Sequence, residues 1–171
     1  MKRRINLRSA AERDELFLYE LYKASRAEEF AVARLTDMQF DQLMRMQYAA
    51  RKATYDSNYP HAQHDVIVVD GAEAGQIWVS REPTQFRVVD IGIAASFQNQ
   101  GIGAFLMTQL MEEANQAGVP VRCSVATNNP GSLRFHQRLG FRITSQNEMY
   151  IELERDGAAA GPLSQSAAPA S

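Results

Sequence analysis

Gln98-Asn99-Gln100-Gly101-Ile102-Gly103-Ala104 is the stretch of this 171-residue chain most plainly suited to chemistry. It lies between a strongly apolar segment and an amphipathic one, so its backbone N–H groups collect where a helix begins and have no carbonyl to meet. Glycine at 101 and 103 removes the side chains that would keep an anion from the backbone, and the helix dipole adds roughly half a positive charge. A phosphate or pyrophosphate is stabilised in such a place. A tight strand-to-helix turn that needs glycine for its dihedrals gives the same residues, and a short glycine motif is weak evidence alone. A Walker loop would end in Gly-Lys-Ser/Thr, whereas this one continues Gly103-Ala104-Phe105. A dinucleotide fingerprint would need a third glycine where Leu106 stands.

Other residues with chemical potential have ordinary explanations beside the functional one. Asn129 followed by Pro130 is a helix N-cap with proline at the first helical position. Cys123 alternates with Val121 and Val125, which makes it a small core residue and not a nucleophile. His61, His64 and Asp65 have only loose metal spacing and read as loop residues.

The elements that must position the glycine loop follow from periodicity. Ser9 and Glu12 have capping-box spacing, and the spacing predicts a first helix from about Ala10 to Arg26. Thr36 and Gln39 repeat the box and predict a second, to about Ala53. Val66–Val69 and Ala74–Val79 flank Asp70-Gly71, a hairpin turn dipeptide. A third strand, Phe86 to Ala94, places Val89, Ile91 and Ile93 on one face and Val88, Asp90 and Gly92 on the other. A helix from Gly103 to Gly118, a strand from Val119 to Ala126, a helix from Asn129 to Leu139 and strands at 141–144 and 149–153 complete an α/β domain with a mixed sheet.

Residues 1–155 are expected to form one domain. The tail, residues 156–171, is rich in alanine and serine, has too few large apolar groups to offset its ordering entropy, and is expected to be disordered. The hydrophobic fraction of 45% and charged fraction of 22% are those of a soluble globular protein. With 18 basic and 20 acidic residues the net charge is -2, which offers no field for nucleic acid. The basic start, Met1-Lys2-Arg3-Arg4, leads into no apolar signal core and no apolar run approaches a membrane span, so a cytoplasmic location is expected, with no membrane partner. One cysteine excludes an internal disulfide.

Gln98, Gly101 and Gly103 match the signature Gln/Arg-x-x-Gly-x-Gly/Ala, and Asn129 through Leu139-Gly140-Phe141 looks like a later motif, Asn-x-x-Ala followed by an aliphatic-Tyr pair and Leu-Gly-Phe. With both at fitting separation, the chain resembles the GNAT superfamily of N-acyltransferases over about Arg4 to Leu153. The resemblance implies a mostly antiparallel sheet, splayed between the strands ending at Ile93 and near Ala126, with helices on both faces. Acetyl-CoA would be the co-substrate, and no metal is required. Backbone groups of Ile91 and Ile93 would bind its pantetheine amides, residues Gln98, Asn99, Gln100, Gly101, Ile102, Gly103 and Ala104 its pyrophosphate, and Asn129 its arm.

The chain departs from this family at His136, which stands where a tyrosine usually protonates the leaving thiolate. Imidazole can take that role, with an ordinary pKa of about 6.5. Asp90 is the candidate base acting through water, with a salt-bridged carboxylate as the plain alternative. Glu28 and Glu29, in the loop or helix between the first two helices, lie in a region that shapes acceptor sites in such proteins. The acceptor is expected to be a primary amine, and an exposed sheet edge could carry a homodimer. Rival readings are a catalytically weak acyl-CoA-binding sensor and a nucleotide-binding protein using the same glycine turn.

Overall fold

The computed structural model describes residues 3–157. Its strands are β1 (Ile5–Ser9), β2 (Gln63–Val69), β3 (Ala72–Glu82), β4 (Gln85–Ile93), β5 (Val121–Ala126), β6 (Arg142–Gln146) and β7 (Tyr150–Arg155). The helices are α1 (Glu15–Phe30), α2 (Asp37–Asn58), α3 (Ile102–Ala117) and α4 (Pro130–Arg138). One seven-stranded sheet runs in the order β1-β2-β3-β4-β5-β7-β6, and only β4 and β5 pair in parallel.

The start of the chain differs from the expected helix. Residues 5–9 form an edge strand paired with Asp65–Val69, so Ser9 is a strand residue and caps nothing. Asp14 takes over at the helix entrance: its carboxylate accepts the Ala11 N–H at 2.8 Å and both Arg8 Nη groups, at 2.7 and 2.8 Å. That Arg8 fork holds the buried carboxyl well below the usual carboxylate range. The second box is as expected, since Thr36 Oγ1 accepts the Gln39 N–H and Gln39 Oε1 accepts the Thr36 N–H, but α2 continues past Ala53 to Asn58. Asp70 and Gly71 both have positive φ, 52° and 90°, the geometry of a two-residue hairpin turn.

Strand β4 breaks its own alternation. Trp78 stands opposite Asp90 and Val79 opposite Val88, which leaves Val89 as the extra residue of a bulge. Phe86 and Val88 therefore share a face with Ile91 and Ile93, and all four pack in the main core. Asp90 and Gly92 lie on the opposite face, where Gly92 approaches Leu21 of α1, so the expected grouping of Val88 with Asp90 and of Val89 with Ile91 is corrected.

The main core lies on the side of α3 and α4, where Leu106, Met107, Leu110 and Met111 meet Ile67, Ile77, Val121 and Leu153. Cys123 belongs to this core, and burial pushes its thiol up to about 12. On the other face α1 and α2 meet through Tyr19, Tyr22 and Met44. Gly118 (φ 69°) and Gly140 (φ 89°) close α3 and α4 in the left-handed region. Asp156 accepts from Arg142 at 2.9 Å, and the rest of the expected tail, from residue 158, lies outside the described residues. No helix among the described residues is long and apolar enough to cross a membrane.

Candidate active site

The ladder between β4 and β5 holds for Phe86–Val121, Arg87–Arg122 and Val88–Cys123 and then stops. Beyond it, Val89–Ile93 and Ser124–Ala126 diverge with no pairing between them. In a sheet interior this exposes a row of backbone donors and acceptors that must be met by something else. The bulge at Val89 sits at the point of divergence, where added local twist bends β4 away from its neighbour.

At the open end of this slot lies the glycine loop. Asn99 (φ 58°) and Gly101 (φ 77°) take left-handed conformations, and Gly101 is the N-cap of α3. A glycine cap has no side chain to occupy the first N–H groups of the helix, which stay available to an anion. The position is open as well, since a Cβ on Gly101 would meet nothing within 4 Å. Gln98 Nε2 donates to the Ile93 carbonyl at 2.8 Å, pinning the loop to the strand that feeds it, and Gln100 Nε2 donates to the Ser96 carbonyl at 2.8 Å in the short turn between. Gly103 is close to α4, its Cβ direction 3.3 Å from Phe135 Cζ. The loop, Ile91 and Ile93 are thus brought together around one slot.

Asn129 caps α4, with its Oδ1 accepting the Ser132 N–H at 3.0 Å, which leaves its amide N–H groups for other partners. His136 is 3% exposed and meets Phe135 and Phe141 edge-on, at centroid distances of 5.0 and 5.4 Å. Its Nδ1 lies 2.8 Å from the Ser132 carbonyl oxygen, which can only accept, so Nδ1 carries a hydrogen. In the neutral ring Nε2 then presents a lone pair, and that buried atom has no protein partner among the described residues. Burial lowers the pKa of His136, so only the scarce imidazolium form has a proton to give from Nε2.

Asp90 lies on the opposite face, two residues beyond the last β4–β5 pair. It is bound on both oxygens: Arg51 Nη2 is 2.5 Å from Oδ1 and Gln76 Nε2 is 2.7 Å from Oδ2. Its side chain remains 18% exposed, so it stays within reach of solvent. Arg51 is itself held between the rings of Tyr22 and Tyr55, each 5.1 Å from its guanidinium carbon, and its Nε donates to Tyr55 Oη at 2.8 Å. A narrow cleft opens here, with Tyr48, Tyr55, Trp78 and His64 among its walls. Nearby on the same face, Arg87 bridges Ser124 of β5 and Glu152 of β7 across the sheet.

Two expected placements change. His64 and Asp65 belong to β2 and not to a loop, and His64 stacks on Trp78 at 4.1 Å. Glu28 and Glu29 belong to the last turn of α1, both exposed, with Glu29 paired to Arg26. Arg51, Tyr55, Gln76 and Trp78 were missed by sequence reasoning. The only available signal was the polar and aromatic pair Gln76 and Trp78 alternating with apolar Ile77 and Val79.

Comparison with known proteins bears on the same features. The model of the acetyltransferase (GNAT) family matches residues 17–141. The PaiA N-acetyltransferase of Thermoplasma acidophilum, solved in complex with coenzyme A, superposes with a TM-score of 0.68 at 15% identity, over 90% of this chain and 99% of that one. The ribosomal-protein-S18-alanine N-acetyltransferase of Escherichia coli gives 0.60 at 15% identity, over 94% and 98%. A GNAT family acetyltransferase of Elizabethkingia anophelis with acetyl-CoA bound gives 0.58 at 17% identity, over 90% and 97%. At these identities the likeness is one of fold, and the family match covers most of the chain, slot and glycine loop included. The chain belongs to the acetyltransferase (GNAT) family.

Proposed function

We propose that the protein transfers an acetyl group from acetyl-CoA to a primary amine, by direct attack of the amine within a ternary complex. The observation that carries this reading is the interrupted β4–β5 ladder opening beside a helix N-terminus whose glycine cap brings no side chain. The slot offers backbone partners to an extended amide-bearing arm, the helix start offers N–H groups to its phosphates, and a buried nitrogen of His136 lacks a partner among the described residues. These features fit acyl-CoA.

In this reading Ile91 and Ile93 bind the arm through their backbone, and residues 99–104 receive the pyrophosphate while Gln98 holds the loop in place. Asn129 meets the arm with its free amide. Acetyl-CoA supplies a thioester carbon open to nucleophilic attack. An amine of ordinary pKa near 10.4 is almost wholly protonated at neutral pH, so a base must free its lone pair. Asp90 serves as that base through water, with Arg51 holding its carboxylate in place. As the C–N bond forms and the C–S bond breaks, the thiolate takes up a proton from His136 when that ring is imidazolium, and from solvent otherwise. Glu28 and Glu29 extend the acceptor side and favour a cationic amine.

The neutral, buried state of His136 also favours the rival reading of a catalytically weak acyl-CoA sensor. Calorimetric titration with acetyl-CoA, CoA, ATP and NAD, followed by a screen for amine-dependent CoA release, separates these readings. Acetyl-CoA is expected to bind best, and Gly101→Trp, whose side chain enters open space at a cost of about 1–2 kcal/mol for its left-handed φ, is expected to lose binding while staying folded. A folded wild type that ignores acetyl-CoA or prefers ATP or NAD would falsify the proposal. Binding without amine-dependent release leaves the sensor.

A further inference from the structure

His64 and Gln76 take no part in the mechanism above, and neither is near Asp90 in sequence. In the fold they form a line across three strands of the sheet. His64 Nε2 on β2 lies 2.9 Å from Gln76 Oε1 on β3, and Gln76 Nε2 lies 2.7 Å from Asp90 Oδ2 on β4. Gln76 is 7% exposed, so its amide has little water to turn to. The direction of this line is fixed by chemistry. A carboxylate only accepts, so Gln76 must present its NH₂ to Asp90 and its carbonyl oxygen to the imidazole. That oxygen also only accepts, so His64 must carry its hydrogen on Nε2. Protonating the ring adds a hydrogen at Nδ1 and leaves the Nε2 donor unchanged.

We propose that His64 and Gln76 are positioning residues for the Asp90 carboxylate. The His64 Nε2–H locks the Gln76 amide in the orientation that donates to Asp90, and Arg51 holds the other oxygen, so the carboxylate stands in one place beside the slot. Stacking on Trp78 keeps the imidazole plane aimed along the line, and the Tyr55 ring, 5.5 Å from Trp78, backs that indole from α2. Without the Nε2 donor, the Gln76 carbonyl oxygen loses that partner and the amide is held at its Asp90 end alone, free to swing about its side-chain torsions. The functional part of this inference rests on Asp90 acting as the base.

The test compares His64→Phe, which keeps a ring on Trp78 and removes the donor, with His64→Gln, which keeps an amide donor in similar reach and removes the ring. In the ¹⁵N-labelled full chain, neutral His64 is expected to carry its proton on Nε2. The Gln76 side-chain amide protons are expected to exchange roughly tenfold more slowly than free amides, with that protection lost in His64→Phe and largely recovered in His64→Gln. CoA release from acetyl-CoA is then followed with a mixture of an alkylamine, a polyamine and an amino-acid amide. His64→Phe is expected to lower kcat about fivefold with the KM for acetyl-CoA unmoved, and His64→Gln to recover most of the loss.

A neutral His64 protonated on Nδ1, or equal Gln76 exchange in wild type and His64→Phe, overturns the proposal whatever the turnover. Full activity of Asp90→Asn with the exchange pattern as expected would instead sink the base assignment alone, leaving the fixed line of side chains without that use.

Discussion

His136 is enclosed by two phenyl rings, and beside its hydrogen bond from Nδ1 to Ser132 its second ring nitrogen has no partner among the described residues. Burial lowers its pKa below the ordinary value of about 6.5, and His64 is lowered in the same direction by the same cause. The folded state then binds fewer protons than the unfolded chain, so stability rises with pH in this window and is lost as pH falls below about 6.5. Urea unfolding at about pH 7.5 and about pH 5.5 should show this loss in the wild type and a smaller one in His136→Phe, which keeps a ring between Phe135 and Phe141. An unchanged difference between the two pH values would show that His136 titrates normally. The residues legible in sequence were those whose partners lie close by, such as Asn129 with Ser132. Arg51, Gln76 and His64 gain meaning only from Asp90, which long-range strand pairing and α2 bring to them.

Among the elements, β3 and β4 depend most on a residue that has no side chain. A Cβ at Gly75 would come within 2.2 Å of the Gly92 carbonyl oxygen, a backbone atom held in the sheet, whereas a Cβ at Gly92 would meet only ordinary contacts, 3.7 Å to Leu21 and 3.9 Å to Gln76. Alanine in a strand normally gains over glycine through its lower unfolded-state entropy. Gly92→Ala should therefore be neutral or slightly stabilising in thermal unfolding. Gly75→Ala should cost about 2 kcal/mol and weaken acetyl-CoA binding, because β4 can relieve the clash only by moving its slot-forming end. Equal behaviour of the two variants would contradict this account of the wall. The same strand marks the limit of periodicity: strict alternation misplaced Val88 and Val89 because a bulge puts two residues opposite one, and no residue type announces it. The false helix start at Ser9 has a related cause, since five residues became a strand through pairing with Asp65–Val69, some sixty positions away.

Over the whole molecule, β1–β4 form one antiparallel block and β5, β7 and β6 another, joined within the sheet by the short parallel ladder and covered on one side by α3 and α4. Both the family motifs and the mixed α/β class were readable in sequence because they depend on glycine, asparagine and local periodicity. The seam between the blocks was expected only through resemblance. Its unpaired amides should exchange fastest among strand positions in the free protein. On adding acetyl-CoA, hydrogen exchange should slow at residues 89–93 and 124–126 far more than in β1 or β6; uniform protection across the sheet would contradict a ligand seated in the seam.

The interrupted ladder also separates two kinds of recognition. On the proposed reading one extended guest enters the sheet there and is met along its length by peptide groups, which read an amide repeat and ignore whatever hangs from its far end. The carrier arm is thus met chiefly by backbone, with the Asn129 side chain beside it, and its load lies where the two strands rejoin, around Val89 and Ser124. Substitutions at those two side chains should change which acyl load is accepted while leaving the grip on the carrier intact.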